Sequence, residues 1–137
     1  GIIAINIKSS RMLLGYGFLR KIFEVFEKYR TSIDMITTSE VAVSVTIDNG
    51  AQLSQIVKEL EPFGTISVEE EQTIVSIVGN EIAATQDILS HLFDALKGIP
   101  VNMVSYGGSK HNVSLLIPSS CKTKTLQLLN KGIFGLE

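Results

Sequence analysis

The chain has 137 residues, a formal net charge of −2 and 45% hydrophobic residues. That length holds one domain or two very small ones, and the apolar content excludes a disordered tail. Near-neutral charge gives no electrostatic basis for nucleic acid or acidic membranes as partners, and no apolar run is long enough to span a bilayer.

The single cysteine, Cys121, cannot close an internal disulfide, which points to a reducing, cytoplasmic setting. Gly1 opens the chain directly before a strand-like run, as a piece of a longer protein would. Ile2 to Ile7 is rich in β-branched residues and reads as a strand. Lys8 to Gly17 reads as a loop closed by Gly15-Tyr16-Gly17. Phe18, Ile22, Phe23, Phe26 and Tyr29 then recur at helical spacing. Arg20, Lys21, Glu24, Glu27 and Lys28 fill the opposite face, with Glu24 and Lys28 at the i,i+4 spacing of an ion pair. Ile33–Thr37 reads as a strand, Thr38-Ser39-Glu40 as a bend and Val41–Ile47 as a second strand, ended by Asp48-Asn49-Gly50. Leu53, Ile56, Val57 and Leu60 mark a helix that stops near Pro62 and Gly64, and Thr65 to Glu70 closes the unit as a strand. Glu69-Glu70-Glu71 reads as a solvated strand end or a linker. The order β-α-β-β-α-β is the ferredoxin-like, α+β arrangement.

The pattern then repeats. Thr73–Val78 is a strand, Ile88, Leu89, Leu92, Phe93 and Leu96 lay out a helix, and Val101–Ser105 and Val113–Ile117 are strands. Leu126, Leu129 and Ile133 suggest a last helix. Ile33-Asp34-Met35-Ile36-Thr37 parallels Val101-Asn102-Met103-Val104-Ser105, and Val43-Ser44-Val45 parallels Val113-Ser114-Leu115. The period of roughly seventy residues is that of a whole module. Two modules are therefore expected, 1–71 and 72–137, the second lacking its own final strand. That strand would come from the tail, from upstream of Gly1 or from another chain.

The repeat also serves as a control on the chemistry. Asp34 becomes Asn102 in the second copy, and Glu40 gives way to a bend carrying Lys110 and His111. Two readings of the acids stand at this point. Either they receive a small cation, or they are solvated and satisfied by local backbone N–H groups. Gly15-Tyr16-Gly17 before a helix start suits a carboxylate, so paired with the acids it suggests a zwitterionic ligand. It is neither a dinucleotide fingerprint nor a phosphate loop. His91 and His111 lack partners at metal spacing, Cys121 reads as an inert thiol, and no catalytic triad or dyad stands out. No cofactor or metal is expected, and the chain by itself reads as a non-enzyme.

Met12-Leu13-Leu14-Gly15-Tyr16-Gly17-Phe18-Leu19 and Ser32-Ile33-Asp34-Met35-Ile36-Thr37-Thr38-Ser39-Glu40-Val41 resemble the regulatory half of aspartate kinases. Ile77-Val78-Gly79-Asn80 and Ser105–Ser114 agree. The resemblance implies tandem ACT modules that bind an amino acid and control a separate domain that phosphorylates aspartate, absent here. It implies a homodimer with first modules side by side and the effector at their contact, the first module binding and the second structural. Carried over by position, Met12, Gly15, Gly17 and Phe18 would line the helix-start side, and Ile33, Asp34, Thr38, Ser39 and Glu40 the other. The acid-bearing bend resembles the lysine-inhibited class, although Gly15 replaces a serine or glutamine of some lysine-sensitive relatives. The alternatives are threonine, lysine with S-adenosylmethionine, or a dimerisation module with no working effector site.

Overall fold

The computed structural model describes residues 1–9, 17–79, 87–107 and 110–133. The chain forms two compact units, Gly1–Glu70 and Glu71–Glu137. In the first, β1 (Ile2–Ser9), α1 (Phe18–Lys28), β2 (Ile36–Thr38), β3 (Ala42–Ile47) and α2 (Leu53–Leu60) lead through a short 3-10 turn (Glu61–Phe63) into β4 (Gly64–Val78). In the second, β4 is followed by α3 (Ile88–Ala95), β5 (Met103–Ser105), β6 (Asn112–Pro118), a 3-10 turn (Ser119–Cys121) and α4 (Lys122–Gly132). The predicted α+β class and the repeated module are both present.

Strand order in the first unit is β2-β3-β1-β4, with β1–β3 and β2–β3 antiparallel. Alternation explains the core. Ile3, Ile5 and Ile7 of β1 and Val43, Val45 and Ile47 of β3 face one side, where Ile22, Val25 and Phe26 of α1 and Ile56 and Leu60 of α2 cover them. Each fully buried aliphatic side chain of this kind contributes about 1.5–3 kcal/mol. The opposite face carries a polar ladder: Ser44 Oγ donates to Asn6 Oδ1 (2.7 Å), and Asn6 Nδ2 to Glu69 Oε1 (3.2 Å). The second unit has the order β4-β6-β5, and its core joins Val75, Ile77, Val113, Leu115 and Ile117 to Leu92 and Leu129. Its Ser76–Ser114 hydroxyl pair (2.9 Å) stands where the first unit has Asn6 and Ser44. Among the described residues no strand follows α4; the tail 134–137 lies outside them.

Two sequence expectations are corrected. The glutamate run is neither a strand end nor a linker, because β4 continues through it. The side chains of Glu69, Glu70 and Glu71 are exposed while the backbone ladder runs from β1 on to β6, beginning with Gln72 opposite Pro118. Glu71 takes a left-handed φ of +54° where β4 passes from one unit into the next. The expected Glu24–Lys28 pair is also replaced. Glu24 accepts from Arg20 Nε at 2.9 Å, and Lys28 reaches Glu59 of α2 at 2.6 Å, tying the two helices together. α1 ends in a Schellman turn: Arg30 adopts φ +49°, its N–H meets Glu27 O (3.0 Å), and Thr31 N–H meets Phe26 O (2.9 Å).

Gly64 is required by close approach, since a Cβ there would lie 2.1 Å from the backbone oxygen of Lys8. Gly64→Ala is expected to destabilise the chain by about 1–3 kcal/mol, because backbone cannot yield as a side chain can. A denaturant midpoint equal to that of the wild type would contradict this packing.

Candidate functional site

Met12 and Gly15 lie outside the described residues. The other expected site residues all belong to the first unit, and the structure distributes them between its two ends. At one end β1 finishes, and Ser9 N–H bonds to Val41 O at 2.7 Å. There β2 turns into β3 through a tight hairpin closed by Ser39 N–H to Ala42 O (2.8 Å), with Glu40 and Val41 at the tip. Ser39 Oγ accepts from Val41 N–H at 3.4 Å. Thr38, Ser39 and Glu40 are all exposed. The start of α1 is at this same end: Phe18 packs edge-on against Phe63 (centroids 6.3 Å, 77°), next to Gly64, which touches Lys8. Phe18 therefore faces the core, whereas Leu19 and Phe23 are more exposed.

Gly17 is the N-cap of α1, with φ +79° and, among the described residues, no side-chain cap and no acid in the first turn. The leading N–H groups of an α-helix have no intrahelical acceptor. With the positive end of the helix dipole, such N–H groups favour an anionic group.

Asp34 sits at the other end. Its backbone N–H donates to Thr46 O (2.8 Å), Thr46 N–H to Met35 O (2.9 Å), and Met35 N–H to Thr46 Oγ1 (2.8 Å). Thr46 is fully buried, while the Asp34 side chain is exposed. Ile33 beside it is half-buried against the core. Among the described residues the Asp34 carboxylate has no hydrogen-bond or ion-pair partner. Partial desolvation, helped by the negative charge of Asp48, pushes its pKa above the usual carboxylate value. The two acids of the expected pocket are thus not neighbours within one chain. Six residue steps of largely extended backbone separate them by about 15–20 Å. Asp48 is the nearby acid that the sequence reading passed over. Its place in a turn signal hid it, because only the sheet register brings position 48 towards position 34.

The second unit repeats the backbone geometry with different chemistry. Asn102 N–H donates to Leu116 O (2.8 Å), as Asp34 does to Thr46. Its side chain donates to Oε1 of buried Gln72 at 2.7 Å. Lys110 and His111 are exposed in the corresponding bend. Among the described residues no His, Cys, Asp and Glu group could hold a metal. Cys121 is partly buried against the second core. A groove of about 780 Å³ also lies between α1 and α2, lined by Lys28, Tyr29, Glu59 and Phe63 among others. Lys28 lies 5.4 Å from the Tyr29 ring centroid. The Glu59 carboxylate raises the Lys28 pKa, and Lys28 lowers that of Glu59. The groove carries both charge signs and none of the expected site residues.

This ferredoxin-like architecture is that of ACT-type modules. The ACT domain family model matches residues 75–132. A protein from Porphyromonas gingivalis W83 assigned as a C-terminal regulatory domain of aspartate kinase is 44% identical, with a TM-score of 0.86 over 98% of this chain and 92% of that one. This chain belongs to the regulatory ACT-domain region of the aspartate kinase family. The chloroplastic aspartokinase 3 of Arabidopsis thaliana is 35% identical over 97% of this chain, which spans only 26% of that relative. Escherichia coli aspartokinase III, in complex with lysine and aspartate, is 28% identical with a TM-score of 0.82, matching 96% of this chain and 31% of that one.

The raised pKa of Asp34 has a defined sign. The folded state holds the proton more tightly than the unfolded state, so stability falls as pH rises through the folded pKa and is recovered on acidification. Asp34→Asn is therefore expected to stabilise the unliganded chain at neutral pH by no more than about 1 kcal/mol, given solvent screening. Melting curves should show that gain vanishing at acid pH; a loss of stability at neutral pH would contradict it.

Proposed function

We propose that this chain is the effector-sensing region of an aspartate kinase, and that its first unit takes L-lysine where two copies meet. The observation that carries the reading is the asymmetry between equivalent positions: among the described residues the Asp34 carboxylate has no partner, and Asn102 is a neutral amide with an internal one. A lysine α-carboxylate suits the N–H groups at the α1 start, Gly17 and Phe18, and its amines suit carboxylates through charge-assisted hydrogen bonds. β2 is the edge strand of its unit, which leaves one side of its backbone free to pair. Antiparallel pairing of two β2 strands about Thr37, the middle residue of Ile36–Thr38, sets Asp34 of one copy against Glu40 of the other. One symmetric dimer then reunites the acids that a single chain holds apart, with Thr38 and Ser39 beside them. The complex of the E. coli relative with lysine favours this ligand over threonine.

On this reading residues 1–71 bind the effector, and 72–137 serve a structural role in the dimer. In the intact protein lysine would act by favouring one arrangement of the dimer, and through it one activity state of a kinase domain.

Calorimetric titration of the chain with lysine, its mass measured alongside, tests the reading. Asp34→Asn is expected to lose most of the lysine affinity, at least about tenfold for a lost hydrogen bond to a charged group. Asn102→Ala should leave it unchanged. Equal lysine affinity in the wild type and Asp34→Asn would remove the basis for the site. If neither lysine nor threonine raises the melting temperature, the chain is instead a dimerisation module.

A further inference from the structure

Both units build the same strand end and close it differently. In the second, β4 sets Gln72 opposite Pro118, and the Gln72 carboxamide reaches Asn102 at 2.7 Å. The register pairs Thr73–Ile117 and Ile3–Ile47 are equivalent, so one residue earlier Gln72 corresponds to Ile2, and Pro118 to Asp48. The first unit thus replaces an amide pair beside a proline with a carboxylate, an apolar side chain and a second carboxylate. An amide at position 2 would stand where its N–H could satisfy Asp34, because a glutamine can turn its donor towards an acid as readily as its acceptor towards an asparagine. Ile2 has no donor to give.

We propose that Ile2 is a specificity-determining residue of the effector site: by withholding the amide that Gln72 supplies in the twin unit, it keeps the Asp34 carboxylate free for an ammonium group from outside. The inference rests on the lysine reading above and adds to it the reason why only one copy is receptive. It assigns to an isoleucine, an uncharged side chain, the selection between a closed amide pair and an open anion. Asp48 adds to the effect, since a second negative charge makes an external cation the favourable way to neutralise this strand end.

The test uses the 137-residue chain and the variants Ile2→Gln, Ile2→Val and Gln72→Leu. Lysine affinity is measured by calorimetry, and the Asp34 carboxyl is titrated by NMR without ligand. Ile2→Gln is expected to bring the Asp34 pKa down towards the ordinary carboxylate value, as a new hydrogen bond favours the charged form. It should weaken lysine binding about tenfold, since lysine must displace that bond. Ile2→Val and Gln72→Leu should bind as the wild type does. If the wild type binds lysine and Ile2→Gln binds equally well, the inference falls and the effector reading survives. Equal losses in Ile2→Gln and Ile2→Val mark damage to the strand and also overturn it. No uptake of lysine by the wild type overturns the effector reading, and the inference with it.

Discussion

Thr46 is the residue on which the candidate site depends. Its buried side chain and both of its backbone polar groups bond to Asp34 and Met35, extending the β2–β3 ladder past the formal start of β2. Backbone groups at a strand end must be satisfied, and here a hydroxyl from inside the sheet does it. The consequence is chemical as well as structural. With the Asp34 N–H engaged, its side chain is exposed and, among the described residues, meets no donor that would neutralise it. On the proposed reading, a carboxylate held in that way would meet a cation with little cost of loop ordering.

The division of the site between two ends of one unit follows from the topology. In a β-α-β-β-α-β module α1 runs back along the sheet, so its start lies near the end of β1 and its end near the start of β2. Gly17 therefore belongs with the β2–β3 hairpin, and Asp34 belongs with the start of β1. A ligand with a carboxylate and two amines cannot bridge that length within one chain. On the proposed reading the short edge strand would supply the remedy, because antiparallel pairing reverses direction and exchanges the two ends. Dimerisation and effector binding become one event on this view, which is what allows binding to act as a switch.

Much of the fold was legible in the chain. The β-branched runs Ile2–Ile7 and Val41–Ile47 and the 3–4 spacing of Ile22 and Phe26 are local patterns with one geometric meaning each. The repeat was legible because Asp34–Thr37 and Asn102–Ser105 share their apolar alternation. Continuity of β4 was not. Three glutamates discourage a strand by composition, yet pairing first with β1 and then with β6 keeps β4 continuous through them, even with Glu71 at φ +54°. Partner choice on α1 was equally hidden: Lys28 has Glu24 at good spacing, but Glu59 of α2 is closer once the helices pack.

The sequence by itself determined that two like modules follow one another and that only the first carries acids around its β2 strand. It could do so because residue identity fixes formal charge, and periodicity fixes which residues face a core. Tertiary structure alone decided which acids are neighbours. Asp34 and Glu40, six positions apart, stand at opposite ends of an extended strand, while Asp34 and Asp48, fourteen apart, share one end of the sheet. Proximity between strands depends on hydrogen-bond register rather than on distance along the chain, and register is set by the packed sheet as a whole.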